Sequence, residues 1–368
     1  MKILIIVTKG DVGGAQIAVF NMAKELKNKG HSILVGIGEG EFLKDKLKKE
    51  NIPVHSFKNL KRTINPFKNI MFIFEIKKYL DKEKFDVIHF NSSNALLGAI
   101  GAKITKSKPK TVFTFHGLST LDSNYSNTIS KIIYWVIFKF LLIFIDKNIF
   151  VSYDNLESAK KIKLIKYGDV IYNGIDINSF NFIEKNEAIK IIEGKIGYPL
   201  NNTFIIGSIG RLSKQKNYEF LIKVFPKILE IEAKAICLII GDGPKNNELK
   251  KLIKKLNLEN KIFLTGEIKN ASKYLKLFNI FILPSIYEGL PISLTEAIFA
   301  QIPSISSDVG GNKEILGKNF TYILNDEEEF LRLFEKIYHN KIKQDFYRQK
   351  ILFTDSEMVK KLECLYND

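Results

Sequence analysis

Short β-type runs that alternate with helical segments are the feature of this sequence that most restricts its fold. Such alternation is typical of parallel sheets that are covered by helices on both faces. The runs form two successive series, and each series is long enough for one sheet. They span residues 3–7, 33–37, 87–91, 111–115, 149–152 and 170–172, and then 204–209, 236–241, 261–265, 281–284 and 304–307. The sequence therefore predicts two doubly wound α/β domains.

The boundary between the two domains is expected at Asn173-Gly174, a turn-forming dipeptide after the sixth run. A chain of 368 residues is too long for one ordinary core and long enough for two. We therefore expect an N-terminal domain of residues 1–172 and a C-terminal domain of residues 173–341. The first helix supports this interpretation, because Gly30 ends it and six apolar residues share one face: Ala15, Ala18, Val19, Met22, Ala23 and Leu26.

The composition argues against several classes of protein. Two cysteines are too few for a disulfide framework, so a reduced cytoplasmic setting fits. The opening MKILIIVTKGD has too short an apolar stretch for a secretory signal, and we expect a first strand there. The formal charge is +16, and residues 1–172 hold most of the excess, with 28 Lys and Arg against 15 Asp and Glu. This bias suits an anionic membrane surface or a phosphorylated substrate, or reflects lysine-rich codon usage; no nucleic-acid-binding motif accompanies it.

Residues 282–300, which read ILPSIYEGLPISLTEAIFA, hold the most informative motif of the chain. Glu288 is expected in the loop after a strand, and Glu296 about a turn and a half into the next helix. Pro291 suits the first position of that helix, where a missing N–H costs nothing. Free N–H groups at the helix start form an anion site, and they lie within the segment that includes Leu290, Ile292 and Ser293. Two carboxylates beside an anion site suit a sugar nucleotide, although a single glutamate is more often only solvated.

Two further loops follow strand ends. The segment FIIGSIGRLSKQKN places Gly210, Arg211 and Lys216 after the first strand of the second series. Arginine offers a planar fork of donors, and lysine offers a compact charge. After the first strand of the chain, the loop KGDVGG ends with Gly13 and Gly14 and permits a close approach of a phosphate to the backbone. It is not G-x-G-x-x-G, so the dinucleotide fingerprint is absent, and either loop alone is also compatible with an ordinary exposed turn.

These segments together resemble the family 4 retaining glycosyltransferases, the glycosyl transferases group 1, which have the GT-B fold. EGLPISLTEA matches the E-x7-E element of the family, GRLSKQKN its cationic donor loop, and FTFHG its histidine motif. GDGP, FLTG and SDVGGNKE match further loops in the same order, so the resemblance covers nearly the whole chain. It implies two Rossmann-like domains that face a central cleft. It also implies a C-terminal helix, about residues 342–368, that packs back on the first domain.

The resemblance further implies roles for individual residues. Arg211 and Lys216 correspond to the residues that meet the donor diphosphate, while Glu288 and His116 correspond to those that orient the donor sugar. Glu296 corresponds to the residue that holds the ribose. The other expected substrate-binding positions are Gly13, Gly14, Gly210, Leu290, Ile292 and Ser293. His89, within DVIHFN, is a weaker candidate on the acceptor side.

Two apolar segments of the N-terminal half bear on membranes. The run IIYWVIFKFLLIFI, residues 132–145, is too short to span a bilayer and contains Lys139. We expect a buried or partly buried helix; the alternative is a helix whose aromatic face enters the lipid interface. Upstream, residues 57–85 interleave basic with apolar side chains: Lys58, Lys61, Arg62, Lys68, Lys77 and Lys78 with Phe67, Met71, Phe72, Ile73 and Phe74. A peripheral surface for an anionic membrane is therefore a hypothesis.

The family resemblance leads us to expect an enzyme, a retaining hexosyltransferase. It would move a sugar from a nucleoside diphosphate sugar to a glycan or lipid-linked acceptor, as in capsule, lipopolysaccharide or exopolysaccharide synthesis. No D-x-D lies at a strand end and no His, Cys and Asp cluster has metal-ligand spacing, so we expect no metal and no other cofactor. The expected location is cytoplasmic, and a peripheral position at the inner face of the cell membrane is a hypothesis. A sugar-nucleotide epimerase or hydrolase of the same fold, or a non-catalytic membrane-surface module, remains an alternative.

Overall fold

The first series of runs forms a seven-stranded parallel sheet. The computed structural model describes residues 1–63, 65–118, 121 and 128–368. The strands of this sheet are β1 (Lys2–Lys9), β2 (Ser32–Glu39), β3 (Val54–Ser56), β4 (Val87–Phe90), β5 (Lys110–Phe115), β6 (Lys147–Phe150) and β7 (Asp169–Val170). Their order is β3-β2-β1-β4-β5-β6-β7. Because the chain runs outward from β1 in one direction and from β4 in the other, the sheet is doubly wound.

Helices cover both faces of the first sheet. They are α1 (Gly14–Asn28), α2 (Phe42–Lys49), α3 (Pro66–Lys82), α4 (Gly98–Lys103), α5 (Thr128–Leu141) and α6 (Tyr153–Lys161). On one face, α1 and α2 bury Val19 and Leu43 against the sheet. On the other face, α3 and α5 bury Phe72 and Phe138. The interior of β1 is fully buried as a result, which explains why its sequence is a continuous apolar run.

The second series forms a six-stranded parallel sheet. Its strands are β8 (Phe204–Ile209), β9 (Ala235–Ile240), β10 (Ile262–Gly266), β11 (Ile280–Leu283), β12 (Ser304–Ser307) and β13 (Thr321–Tyr322), in the order β10-β9-β8-β11-β12-β13. The accompanying helices are α7 (Lys185–Ile196), α8 (Tyr218–Ile231), α9 (Asn246–Lys255), α10 (Ile292–Phe299), α11 (Asn312–Leu316), α12 (Glu327–Tyr338) and α13 (Tyr347–Leu352). The winding reverses between β8 and β11. Both predicted doubly wound sheets are thus confirmed.

The chain divides into two compact units, residues 1–176 with 352–368, and residues 177–351. The last helix, α14 (Asp355–Asn367), belongs to the first unit. Met358, Leu362 and Tyr366 on this helix join the same core as α1. The division falls at residue 176 rather than 172. The returning segment consists of two helices, α13 and α14, of which α13 lies almost wholly in the second unit.

Candidate active site

The loops that follow β8 and β11 lie at the carboxyl ends of two neighbouring strands. The strand order of the second sheet reverses between these strands. In open parallel sheets a crevice forms at such a reversal, and ligands bind there. Lys216 follows β8 and Glu288 follows β11, and the two loops are joined by a hydrogen bond of 2.8 Å from the Ile286 N–H to the Gln215 carbonyl. The topology therefore brings two of the predicted site residues together.

Lys216 and Glu288 form a nearly buried ion pair. The Lys216 Nζ atom lies 2.6 Å from Glu288 Oε1, and the two side chains are 14% and 7% exposed. The Ser285 hydroxyl donates to the same carboxylate oxygen over 2.6 Å. Gln215 Nε2 lies 3.5 Å from the other oxygen, Oε2. Because desolvation offsets much of the attraction in a buried pair, this contact fixes positions more than it adds stability.

The loop after β12 supports the loop that carries Glu288. The Ser307 hydroxyl donates to the carbonyl of Ser285 over 2.6 Å, and the Gly311 N–H donates to the carbonyl of Gly289 over 2.7 Å. Gly310 has a φ of 53°, and a Cβ atom there would lie 2.1 Å from the Glu288 carbonyl oxygen. Only glycine satisfies both the backbone angle and this close approach. The SDVGGNKE segment thus shapes the backbone under Glu288.

Gly210 leaves room for the lysine side chain. A Cβ atom on Gly210 would lie 2.8 Å from Tyr218 Oη and 3.2 Å from Lys216 Cε. The aliphatic part of Lys216 therefore passes directly over the end of β8. Arg211, the next residue, is exposed, and the described residues offer its guanidinium no hydrogen bond or ion pair. The guanidinium of Arg211, which is close in sequence to Lys216, is therefore available to bind an anion.

The helix after Glu288 begins one residue later than predicted. Pro291 is the N-cap of α10, with a φ of −71° and a ψ of 120°, and Ile292 is the first helical residue. The prediction that Pro291 occupies the first helical position was wrong, because its extended ψ angle excludes it from the helix. The Thr295 N–H already bonds to the Pro291 carbonyl over 3.1 Å. The helix-start N–H groups are therefore those of Ile292, Ser293 and Leu294.

Two other predicted residues flank this helix start. Leu290 is buried in the turn before Pro291, where its backbone can border the anion site without being helical. Glu296 is partly buried in α10 and makes interactions within the protein. Both residues lie on the element that follows β11, as expected. Their contribution to binding stays a prediction.

In the first unit, the glycine loop leads into α1. Gly13 is the N-cap of α1 and Gly14 its first residue, and the Gly13 carbonyl accepts from the Ile17 N–H over 3.1 Å. The Gln16 amide donates to the Lys9 carbonyl over 2.8 Å, so this side chain folds back over the loop. A Cβ atom on Gly13 would lie 2.5 Å from Gln16 Oε1. No side chain caps the N-terminus of α1, so its backbone N–H groups suit an anion.

His116 follows β5 and is held by an asparagine that the sequence analysis did not select. Its Nε2 atom lies 3.0 Å from Asn91 Oδ1, and Asn91 Nδ2 donates to the His89 carbonyl over 3.1 Å. Because the asparagine amide is oriented by the second bond, its oxygen faces the imidazole and His116 Nε2 must carry the proton. Burial lowers the pKa of His116 to about 4, so the ring is neutral near pH 7. Its Nδ1 atom is sealed from water and, within the described residues, has no hydrogen-bond partner.

His89 has a structural setting. It is fully buried, with Nδ1 2.7 Å from Tyr366 Oη and Nε2 2.6 Å from Thr114 Oγ1. Burial lowers the pKa of His89 to about 3. Both ring nitrogens are satisfied by these contacts, which tie β4 to α14 and β5. The position provides no open nitrogen for an acceptor.

The structure assigns the predicted site residues to two sheet edges. Gly210, Arg211, Lys216, Glu288, Leu290, Ile292, Ser293 and Glu296 follow β8 and β11 in the second unit, whereas Gly13, Gly14 and His116 follow β1 and β5 in the first. Ser285, Gln215 and Asn91 were missed. Each lies within a few residues of a strand end and is small or amidic, a weak signal that many loop residues share.

Among the residues that the structure describes, no group of three or more His, Cys, Asp or Glu side chains is arranged to hold a metal ion. No helix within the same residues is both long and apolar enough to cross a membrane.

Two doubly wound units, the second with a cationic loop facing a carboxylate at its switch point, define the GT-B class of α/β proteins. A model of the glycosyl transferases group 1 matches residues 195–351, and a model of glycosyltransferase family 4 matches residues 12–179. The chain belongs to the family 4 glycosyltransferases. This confirms the family and the fold that the sequence motifs predict.

Relatives agree with this assignment. An uncharacterized glycosyltransferase of Methanocaldococcus jannaschii is 30% identical over 283 residues, which cover 75% of this chain and 68% of that protein. The Escherichia coli UDP-Gal:alpha-D-GlcNAc-diphosphoundecaprenol alpha-1,3-galactosyltransferase is 29% identical, covering 83% of this chain and 81% of that protein. The Staphylococcus aureus capsular polysaccharide biosynthesis glycosyltransferase CapH is 27% identical, covering 97% and 94%. Anabaena HepE, solved with UDP-glucose, has the same fold with a TM-score of 0.82, 21% identity and full coverage of both chains.

Proposed function

We propose that this glycosyltransferase moves a hexose from a nucleoside diphosphate sugar to a hydroxyl of a lipid-linked glycan, with retention of configuration. The observation that carries the proposal is the Lys216–Glu288 pair at the switch point of the second sheet, with the exposed Arg211 five residues before Lys216 in the same loop. It combines cations for a diphosphate with a carboxylate for sugar hydroxyls. A sugar nucleotide presents both groups within one molecule.

The leaving group is stabilised by charge and by backbone dipoles. When the bond from the sugar to the diphosphate breaks, negative charge grows on the departing phosphate oxygen. Arg211, Lys216 and the N–H groups of Ile292 and Ser293 supply the compensating positive potential. We assign this work to protein groups rather than to a metal ion. Activity that persists unchanged in excess EDTA supports the assignment, and activity restored only by added Mg²⁺ or Mn²⁺ contradicts it.

The remaining site residues orient the donor. Glu288 accepts hydrogen bonds from sugar hydroxyls, and Glu296 accepts from the ribose. His116 presents a neutral imidazole to the sugar, and the loops that contain Gly13, Gly14 and Gly210 present backbone groups to the substrate. In a front-face mechanism the departing phosphate deprotonates the acceptor hydroxyl, so that no protein nucleophile is required. Retention follows, because the acceptor attacks from the face that the phosphate leaves.

The acceptor is inferred from relatives and from the surface of the first unit. One relative is named for an acceptor on diphosphoundecaprenol, and another for capsular polysaccharide biosynthesis. Two further matches are named O-antigen biosynthesis glycosyltransferases of Escherichia coli. We therefore propose a cell-envelope glycan carried on a lipid diphosphate, met at the cytoplasmic face of the membrane.

The first unit has an apolar surface that fits this location. One face of α5 and of the short 3-10 turn after it exposes an apolar stripe in which Ile129 and Ile143 are each 74% exposed. Its members are Ile129, Ile132, Ile133, Val136, Ile137 and Phe140 on α5, and Ile143 in the turn. α3, which lies on the same face of the sheet, exposes Phe67, Ile70, Met71 and Phe74. Helices of a protein that stays in water seldom expose such stripes.

Basic side chains border these stripes. Arg62, Lys68 and Lys78 are exposed on or near α3, within the half of the chain that holds most of the net positive charge. Lys139 is also exposed on α5, but its ammonium donates to the carbonyls of Lys163 and Leu164. Apolar side chains can insert at the boundary between headgroups and acyl chains, while lysines bind anionic headgroups. Both contributions strengthen membrane binding. We therefore propose that this surface, α3 and α5 together, binds an anionic bilayer.

Vesicle sedimentation tests the membrane surface. Wild-type protein should sediment with phosphatidylglycerol vesicles and less with phosphatidylcholine vesicles. The double variant Ile132→Glu and Val136→Glu should lose this binding. The matched control, Ile191→Glu and Ile323→Glu, changes two exposed isoleucines of the second unit and should bind like the wild type. Equal sedimentation of both variants, or none by the wild type, would refute the membrane surface.

A donor screen tests the enzyme assignment. Thermal shift with UDP, GDP and ADP and their common hexose conjugates should reveal one nucleotide that raises the melting temperature, and Lys216→Met should abolish the shift. The best donor is then supplied with lipid diphosphate acceptors. Consumption of the donor without an acceptor would indicate the alternative epimerase or hydrolase, and absence of any nucleotide binding would indicate a non-catalytic module.

A further inference from the structure

Ser285 occupies a position that the donor-site roles leave unexplained. It is the second residue after β11, is fully buried, and lies three residues before Glu288. A buried hydroxyl needs a hydrogen-bond partner, and here the partner is a carboxylate oxygen 2.6 Å away. A hydrogen bond to a charged group is stronger than one between neutral groups. The contact is therefore a strong local restraint on the Glu288 side chain.

Glu288 Oε1 is shared between two donors of different kind. Lys216 is a cation at the end of a long side chain, whereas Ser285 is a neutral donor on a short one. The Ser285 backbone is itself held, because its carbonyl accepts from the Ser307 hydroxyl over 2.6 Å. The backbone carbonyl of Ser307 in turn accepts from the Asn312 side-chain amide over 3.0 Å. Ser285 thus sits on a buried chain of hydrogen bonds that runs to β12 and α11.

The two donors respond differently to a diphosphate. A diphosphate competes with Glu288 for the ammonium of Lys216, because both are anions that attract it. The neutral Ser285 hydroxyl has no such competitor and stays with the carboxylate. From this difference we infer that Ser285 is the positioning residue that keeps Glu288 aimed at the donor sugar when Lys216 turns to the diphosphate. The inference rests on the proposed function and adds a residue to it.

Separate measurements on the two halves of the donor test this role. Isothermal titration calorimetry without acceptor compares UDP with UDP-glucose, or with the best UDP-hexose from the screen. In Ser285→Ala, the ratio of the affinity for the sugar nucleotide to the affinity for UDP should fall about tenfold. This is the scale of a hydrogen bond to a charged group. Affinity for UDP itself should stay within about twofold, because the cations for the diphosphate remain. Ser285→Cys keeps the approximate size of the side chain but has only a weak hydrogen-bond donor. The same affinity ratio should fall in this variant as well.

A matched control and a double variant separate positioning from general structure. Ser306 on the neighbouring strand is also fully buried, and its hydroxyl has no partner in the described chain. Ser306→Ala should leave both affinities unchanged. In a Glu288→Gln background, Ser285→Ala should add little further loss, because a residue that acts through Glu288 is not additive with it.

Three results would overturn the inference. They are an unchanged sugar gain in Ser285→Ala and Ser285→Cys, an equal loss for UDP and UDP-glucose, or a full additional loss in the Glu288→Gln background. If the wild type binds no nucleoside diphosphate or sugar nucleotide at all, the proposed function fails and this inference fails with it. If the wild type binds these nucleotides and Ser285→Ala binds them equally well, only the inference about Ser285 is refuted.

Discussion

At the scale of single residues, the buried pair of Lys216 and Glu288 couples activity to stability. Removal of one member leaves the other charge buried without its partner, which costs about 3 kcal/mol or more. The side chains are 14% and 7% exposed, so water cannot fully compensate. Substitutions at these positions therefore change more than substrate binding.

We predict that Lys216→Ala and Glu288→Ala each lower turnover by at least about a hundredfold and the free energy of unfolding by about 3 kcal/mol. The double variant Lys216→Met with Glu288→Gln should recover most of the stability and none of the activity, because no unpaired charge remains. Urea unfolding and steady-state kinetics measure the two effects. A double variant as unstable as the singles, or near-normal rates in either single, would contradict this account.

The buried histidines predict a pH dependence of stability. Burial lowers the pKa of His116 to about 4 and that of His89 to about 3 in the folded protein, against about 6.5 in the unfolded chain. The unfolded chain therefore binds more protons between pH 6.5 and pH 4. The free energy of unfolding should fall as the pH is lowered through that window, by up to about 1.4 kcal/mol per pH unit for each histidine.

His116→Gln should remove one histidine's share of that slope. The control His339→Gln changes an exposed histidine and should leave the slope as in the wild type. Urea unfolding at pH 7, 6, 5 and 4.5 gives the slopes. Identical slopes for the wild type and His116→Gln would show that this imidazole does not resist protonation in the folded state.

At the scale of elements, the loop after β12 holds the loop after β11. We predict that Gly310→Ala costs about 2 kcal/mol or more of stability and weakens donor binding, because Cβ would lie 2.1 Å from the Glu288 carbonyl oxygen. Gly317→Ala is the matched control, since Gly317 also has a positive φ of 82° but has open space where Cβ would be. It should carry only the backbone strain, about 1–3 kcal/mol, because a ψ of 157° at this positive φ is a conformation almost restricted to glycine.

Thermal unfolding and UDP titration of both glycine variants measure these effects. If Gly310→Ala and Gly317→Ala lose equal stability and neither changes UDP affinity, the close approach of Gly310 to the Glu288 carbonyl is not important for function.

The sequence predicted long, continuous elements well and short contacts poorly. The interior of β1 and the whole of β9 are continuous apolar runs buried on both faces, and this pattern is local. β3 and β13 have only three and two residues, too few for any pattern to stand out. Pro291 was misplaced because both the N-cap and the first helical position accept proline, and only the ψ angle separates them.

The candidate site shows the same division. Lys216 and Glu288 could be selected because each is a charged residue in a recognisable segment. Their contact spans 72 positions of sequence and depends on the pairing of β8 with β11, which a one-dimensional pattern does not specify. Asn91 and Ser285 act through other side chains, so nothing in their own neighbourhood distinguishes them. For α5, composition indicated an apolar helix, but the structure was needed to show that its stripe faces solvent.

At the scale of the whole molecule, the C-terminal helix completes the first unit although the second unit precedes it. Met358, Val359, Leu362, Leu365 and Tyr366 of α14 are buried in the core that contains α1. Each such side chain contributes about 1.5–3 kcal/mol when buried. The first unit is therefore not complete until the last residues of the chain are present.

We predict that removal of residues 353–368 destabilises the first unit by more than about 5 kcal/mol while the second unit stays folded. Urea unfolding should then show two separate transitions. A control that lacks only residues 367–368, which are exposed, should unfold like the full chain. A single unchanged transition in the longer truncation would contradict the division into these two units.

We propose that the Lys216–Glu288 site transfers a sugar with retention of configuration. The NMR coupling at the anomeric centre of the product formed from the best nucleoside diphosphate hexose and a lipid diphosphate glycan reports the stereochemistry of this transfer. We predict acceptor-dependent product with the anomeric configuration of the donor, and no product with the variant Lys216→Met and Glu288→Gln. An inverted product, or equal product from that variant, would contradict the account.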